Sequence, residues 1–358
     1  AGLPLWRRAV YTACRAGFER LVIVTGAPEE LRSGLEGDHH LEGRRSEIAG
    51  VGGGWPKTVR ELRGRWVVLG EEWVVDDELL VRLAATSGAS AAADREGPFA
   101  ADAAEIARWS ESGWQPDAPA VAVGAICEKP LLHLRVSSEA DARRAEDVLF
   151  QGLARNVNNF FARYVDRAMS RAISRRLAPY PVTPNQITIF SILLGIAGAL
   201  ILLDPSYLAG AIGAFLFFAH TVIDGCDGEI ARLKFQESAS GAKLDLIGDN
   251  VVHAFLFPCM AARFYFADPS GPFLVLGAVV LAGVLVTWVA VYVMIVRSDP
   301  SPTVRRCFET FANREFAYLV LVLGLVGKLD WFVWAMAFGL WIFPSALVIG
   351  FVWDRGRA

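Results

Sequence analysis

From about Ile187 to its end, this 358-residue chain carries a series of apolar runs, each approaching the ~20 residues that a helix needs to cross a bilayer. Nothing in the chain limits its fold more, because a lipid-embedded backbone must satisfy its own hydrogen bonds and here does so as helices. Six spans are expected, at about 187–203, 207–226, 244–266, 272–296, 316–327 and 331–353, the fifth short for a full crossing. Basic residues orient them. Arg232, Lys234 and Lys243 lie between spans two and three, Arg297, Arg305, Arg306 and Arg314 between four and five, and Arg355 and Arg357 after six. The opposite loops (204–206, 267–271 and 328–330) carry one Lys among them. The positive-inside rule then puts both termini on the cytoplasmic side of the cell (inner) membrane.

Residues 1–150 are a different material, rich in Ala, Gly, Arg and Glu. A helix from Gly2 to Gly17 is followed by Leu21-Val-Ile-Val-Thr-Gly26, an apolar run ending in a turn signal, as in a buried parallel strand. The pattern recurs at Trp66–Gly70 with an amphipathic helix from Asp76 to Ala84, and Ala120–Ile126 reads as a further strand, so the class is α/β. The Gly-, Ala- and charge-rich stretches Leu31–Pro56 and Ser87–Pro119 are assigned to loops. The segment has no signal-peptide pattern, and a cytoplasmic location follows. The chain begins without Met, so residues upstream of Ala1 are expected to be missing.

Between the halves, Asn158–Leu177 places Arg163, Arg167, Arg171, Arg175 and Arg176 among apolar residues at helical spacing. Such a helix lies in the headgroup layer of membrane lipid or, alternatively, packs as an ordinary solvated helix. A net charge of −3, with no basic patch interleaved with aromatics, argues against a nucleic-acid partner. Cys14, Cys127, Cys226, Cys259 and Cys307 show neither metal-ligand nor disulfide spacing and are read as free thiols.

Chemistry concentrates in Asp224-Gly-Cys-Asp227-Gly228-Glu-Ile-Ala231-Arg232 and Gly241-Ala-Lys-Leu-Asp245-Leu-Ile-Gly-Asp249. Helical residues three or four apart share a face, so Asp224 projects with Asp227 and Asp245 with Asp249. Ionised acids at membrane depth cost at least ~2.5 kcal/mol each unless compensated, and a cation is the natural compensation. An all-oxygen donor set selects Mg²⁺ or Mn²⁺ over zinc, and such an ion suits a pyrophosphate substrate. A carboxylate not used in coordination can take a proton from an attacking hydroxyl. Gly228, Ala231 and Gly241 let a backbone or nucleotide approach closely, and Arg232 can hold a phosphate. An acidic pair at a helix end is often only a cap or a solvated face, but capping does not explain four acids with Gly and Ala-Arg between them. A membrane cation-binding or transport protein is the rival reading, although its acids belong near the middle of the bilayer.

The whole string, Asp224-x-x-Asp227-Gly228-x-x-Ala231-Arg232, eight residues, Gly241-x-x-x-Asp245-x-x-x-Asp249, resembles the signature of the CDP-alcohol phosphotransferase family. The resemblance implies that Asp224, Asp227 and Asp245 bind one or two Mg²⁺ or Mn²⁺ ions. Asp249 is implied as the general base and a further metal contact. Gly228, Ala231, Arg232 and Gly241 are implied to line the CDP site together with Asp224, and Thr183 and Asn185 of Pro181-Val-Thr-Pro-Asn-Gln-Ile-Thr188 lie near the nucleotide. The Thr183-Pro-Asn run also reads as an ordinary helix cap. Arg314, before the fifth span, is the candidate for an acceptor phosphate, the alternative being a purely topological arginine.

Leu5–Gly26 and Trp66–Ala84 resemble a sugar-phosphate nucleotidyltransferase (Rossmann-like) interior, and the arrangement as a whole is similar to fused inositol-phosphate cytidylyltransferase and phosphotransferase proteins. A phosphate loop ahead of Leu5 is absent, and Gly70-Glu71-Glu72 replaces the expected Gly-Asp, implying a degenerate or truncated domain. Gly52-Gly53-Gly54 lacks the strand and Lys-Ser/Thr context of a phosphate loop. The expected organisation is a cytoplasmic α/β nucleotidyltransferase-like domain (1–150), a juxtamembrane amphipathic helix (151–180) and an all-α six-helix membrane domain (181–358), assembled as a homodimer. The implied reaction transfers a phosphoalcohol from a CDP-alcohol to an acceptor alcohol with release of CMP. The donor and acceptor are CDP-inositol and inositol phosphate, or alternatively CDP-diacylglycerol and a polar alcohol in phospholipid synthesis.

Overall fold

The computed structural model describes residues 2–25, 28–50, 62–86, 90–92, 98–111, 120–121, 132–153, 167–297, 303–306 and 316–355. The chain divides into two compact units, Gly2–Gly152 and Leu153–Ala358.

The first unit is mixed α/β. Helix α1 (Leu5–Arg15) buries Val10, Tyr11 and Cys14 on one face and leads into β1 (Arg20–Thr25). After α2 (Pro28–Leu35), β2 (Arg45–Gly50) pairs in parallel with β1, Arg20 opposite Arg45. Next come β3 (Arg65–Val68), β4 (Trp73–Val75), α3 (Asp77–Ala85), β5 (Ser90–Ala92), β6 (Phe99–Asp102), α4 (Ala103–Glu111), β7 (Ala120–Val121), β8 (His133–Arg135) and α5 (Glu139–Gly152). They form a four-stranded sheet in the order β3-β6-β5-β7 and a β4-β8 pair. Leu79, Leu80 and Leu83 of α3 are buried against Trp73, Val75 and Ala100. The helices expected at 2–17 and 76–84 are present.

Two sequence expectations fail here. The stretches assigned to loops hold most of α2, β2, β5, β6 and α4. Strands such as Ser90-Ala-Ala92 and Phe99-Ala-Ala-Asp102 lack the β-branched runs that mark a strand, and pairing with neighbours decides their conformation. The strand at Trp66 does not continue a parallel sheet either: it pairs antiparallel with β6. Between β1 and β3 lies a cavity of about 670 Å³ bordered by Trp6, Val22, Val24, Arg65 and Val67. The triglycine 52–54 and Cys127 fall outside the described residues.

The second unit is helical: α6 (Arg167–Leu177), α7 (Pro184–Ile201), α8 (Tyr207–Lys234), α9 (Ala239–Ala267), α10 (Phe273–Val291, continued by a π-helical turn, Tyr292–Val296), α11 (Phe316–Val326) and α12 (Leu329–Arg355). Five of these, α7 to α10 and α12, are long and apolar enough to cross a membrane. At about 1.5 Å per residue, the 11 residues of α11 reach only about half of a bilayer core. The outward faces stay apolar, with Phe190, Leu193, Val275, Phe338 and Ile349 exposed around a core of Phe217, Val252, Leu256, Met260, Val320 and Phe332. Helices apolar all round are at equilibrium in lipid, and the chain is a multi-pass membrane protein. Residues 158–166 of the expected amphipathic helix lie outside the described part, as does Cys307. Cys14, Cys226 and Cys259 are free thiols.

Two features position the site. Helix α8 runs eight residues past the end expected from hydropathy and α9 starts five residues earlier, so the entire acidic signature is helical. Phe235, in the left-handed conformation at φ 57°, ends α8, and Ser238 caps α9 by accepting from Gly241 N at 3.0 Å. Helices α7 and α8 cross at glycines: a Cβ on Gly213 would sit 2.8 Å from the Gly198 carbonyl oxygen. At the far end of α9, buried Arg263 donates to the carbonyls of Asp204, Pro205 (3.0 Å) and Ser206 (2.7 Å) in the α7–α8 loop. In that loop, hydrogen bonds from the Ser206 backbone and side chain hold the exposed Asp204 carboxyl below its usual range.

Candidate active site

Asp224 and Asp227 lie one turn apart on α8, only 3% and 9% exposed. The neighbouring α9 brings Asp245 opposite them, so that one carboxylate oxygen from each of the three falls within 4.8 Å of the others. Two donors of one Mg²⁺, each about 2.1 Å from it, are at most about 4.2 Å apart, so small side-chain rotations close this triad on an ion. The all-oxygen donor set therefore fits a hard divalent cation. Asp249, one turn beyond Asp245, stands outside the triad: its Oδ1 is 3.8 Å from Nε2 of buried His220. That separation is too long for a hydrogen bond. His220 Nδ1 is 2.9 Å from the Ser191 carbonyl, which can only accept, so Nδ1 carries the proton and Nε2 turns toward Asp249.

The carboxylates are held from α7. The Thr188 hydroxyl donates to Asp227 Oδ2, and Gly228 N donates to Asp227 Oδ1. One turn on, the Ser191 hydroxyl donates to the Thr188 carbonyl (2.8 Å) with Asp224 Oδ1 at 3.4 Å. Sequence reasoning did not select Thr188, Ser191 or His220. Their signal was polar spacing within apolar spans, Thr188 and Ser191 three apart and His220 four before Asp224. Replacing Thr188 by Val removes the donor that orients Asp227, and groups behind a metal ligand typically carry 10–100-fold in affinity. Thr188→Val is expected to raise the Mn²⁺ dissociation constant about tenfold, read by electron paramagnetic resonance of free Mn²⁺ in detergent.

Other sequence-selected residues lie on the same three helices or at their ends. Ala231 lies one turn beyond Asp227 on α8, and the Arg232 guanidinium folds back over Gly228, 3.4 Å from where a Cβ would stand. Gly241, at the start of α9, faces Asn185 Oδ1 of α7, which would be 3.3 Å from a Cβ there. Thr183 is the N-cap of α7 in a reciprocal capping box with Gln186. Arg314 lies outside the described residues.

Two curated proteins similar to this chain are each named bifunctional IPC transferase and DIPP synthase. That of Aquifex aeolicus is 32% identical over 142 residues, covering 39% of this chain and 31% of that protein. That of Archaeoglobus fulgidus is 33% identical over 135 residues, covering 37% of this chain and 26% of that protein. The chain thus spans under a third of the length of either. Among solved structures, Mycobacterium tuberculosis phosphatidylinositol phosphate synthase with CDP-DAG bound is 22% identical over 52% of this chain and 90% of that one, with a TM-score of 0.35. Residues 181–353 match the family described as CDP-alcohol phosphatidyltransferase. Because that match runs from the start of α7 into the last turn of α12 and takes in the aspartates, the chain is, over those residues, a member of the CDP-alcohol phosphatidyltransferase family.

Proposed function

We propose that the helical unit transfers a phosphoalcohol group from a CDP-alcohol to an acceptor hydroxyl and releases CMP. The observation that carries this reading is the convergence of Asp224, Asp227 and Asp245 within 4.8 Å, with Gly228 N donating to Asp227. These three aspartates would hold one or two Mg²⁺ or Mn²⁺ ions. When bound, such an ion neutralises the diphosphate oxygens and polarises the phosphorus under attack. Asp249, outside the triad, takes the acceptor's proton as the acceptor oxygen bonds to the β-phosphorus and the bond from that phosphorus to the oxygen of CMP breaks. Gly228, Ala231, Gly241 and Asn185 border the space for the nucleotide, Arg232 meets a phosphate, and Thr183 fixes the start of α7. Arg314 is assigned to an acceptor phosphate on its sequence context alone.

The donor is read as CDP-inositol and the acceptor as inositol phosphate. Incubating purified protein and Mn²⁺ with a panel including CDP-inositol, CDP-diacylglycerol and candidate acceptors, and reading CMP and product mass, tests this directly. Asp249→Asn is expected to lower CMP release at least a hundredfold while cytidine-nucleotide protection in a thermal shift assay persists. Full activity in that variant removes Asp249 as base. A cation-transport protein would show Mn²⁺ protection without any nucleotide effect.

The sixth span in this reading is α11, whose Val320 is fully buried and whose Gly324 meets Ala214 of α8. Both termini are placed on the cytoplasmic side with the aspartates, and the protein is read as a homodimer. Gly2–Gly152 is read as a degenerate nucleotidyltransferase-like unit. Crosslinking in native membranes and protease accessibility of the first unit test the assembly and the orientation.

A further inference from the structure

Glu229 belongs to the acidic signature yet points away from its metal face. It is completely buried, on the side of α8 that packs against α6. Its Oε1 accepts from Ser170 Oγ at 2.7 Å and from Arg167 Nη1 at 3.3 Å, while Oε2 is buried and accepts no hydrogen bond among the described residues. One turn back, Cys226 Sγ lies 3.4 Å from the Ser170 carbonyl, locking the same two helices together. A half-satisfied buried carboxylate is a poor way to join helices, since apolar residues of like volume do so at lower cost. What it does accomplish is to hold a guanidinium.

Arg167 is three-quarters buried and spends one donor on Glu229; among the described residues its other N–H groups have no acceptor. Its Nη1 would lie 3.9 Å from a Cβ on Gly225, the residue after Asp224. Arg232 lies over Gly228 on the adjoining strip of α8, within electrostatic reach of Arg167. The Glu229 carboxylate attracts both guanidiniums, and the two lie beside Gly225 and Gly228, the residues that follow Asp224 and Asp227. A planar fork with free donors is suited to phosphate oxygens.

The geometry points to Arg167 as a second phosphate-binding arginine of this site, paired with Arg232 on the diphosphate of the nucleoside-diphosphate substrate and held there by Glu229 as a positioning residue. This rests on the phosphotransferase reading of the helical unit. It makes α6 a contributor of a ligand-binding group.

The test uses the full chain in lipid-free detergent, with CDP as probe in the presence of Mn²⁺. Loss of one charge-assisted contact corresponds to about a tenfold rise in the CDP dissociation constant. Arg167→Gln is expected to show that rise with Mn²⁺ binding in the absence of nucleotide unchanged, and Arg167→Lys to recover most of the affinity. Glu229→Gln is expected to weaken CDP binding as Arg167→Gln does, and the double variant to be no weaker than Arg167→Gln alone. CDP affinity within twofold of the unmodified chain in Arg167→Gln, or additive effects of the two substitutions, overturns the assignment. So does an effect that appears only when anionic lipid vesicles are added, since Arg167 would then serve a headgroup phosphate. Absence of CDP binding by the unmodified chain overturns the underlying reading and this one with it, whereas binding that Arg167→Gln leaves intact overturns the assignment alone.

Discussion

Asp245→Asn is expected to abolish CMP release, by three orders of magnitude or more, and to raise the unfolding midpoint measured without metal. A thousandfold loss corresponds to about 4 kcal/mol of transition-state stabilisation, the scale on which removing a charged ligand from a three-carboxylate cation site acts. The stability gain has a separate origin. Three acids whose oxygens lie within 4.8 Å repel one another in a low-dielectric setting until a cation arrives, and the amide keeps the shape while removing one charge. Thermal unfolding in detergent with and without Mn²⁺ reads both effects: the variant should start higher and gain little from metal. A variant that starts lower, yet responds to Mn²⁺ like the unmodified chain, would exclude Asp245 as a ligand.

The second large effect concerns packing. Gly213→Ala places a methyl group 2.8 Å from the backbone oxygen of Gly198 and 2.7 Å from Leu202 Cγ. A backbone oxygen cannot rotate aside, so α7 and α8 must separate, and overpacking of this kind costs about 1–3 kcal/mol. For a unit of this size that lowers the unfolding midpoint by about 5 °C. Mn²⁺ affinity should fall with it, because α7 carries the hydroxyls that orient Asp224 and Asp227. Gly339→Ala on α12 is the control: nothing lies within 4 Å of its Cβ position, and no loss of midpoint is expected. Equal midpoints for the two variants would show that the Gly198–Gly213 crossing is not under tension.

How much of this was visible beforehand differs between the two units for a physical reason. In the helical unit hydropathy and local spacing both act along one helix, so the five long apolar helices and the pairing of Asp224 with Asp227 could be read directly. The ends of α8 and α9 could not, since the charged stretch from Asp227 to Lys234 extends α8 past its apolar run, Phe235 stops it and Ser238 starts α9. Contacts between helices were also hidden. Whether Asp249 joins the triad or turns to His220, and whether Thr188 meets Asp227, depends on helix rotation and register that no single segment encodes. In the first unit the short strands β5, β6 and β7 are made of Ala, Ser, Phe, Val and Asp, and their pairing partners, not their own preferences, make them strands.

Arg263 and Asp245 stand on one helix, eighteen positions apart, which is about 27 Å along its axis. A hydrocarbon layer is roughly 30 Å thick, so both ends of α9 carry charge that resists being drawn into oil. The helix therefore behaves as a strut of set length: a thicker bilayer must pinch toward it and a thinner one must tilt it, at a fraction of a kcal/mol per ångström of mismatch. Because Asp245 is one of those two anchors, lipid chain length acts on the geometry of the carboxylate triad itself.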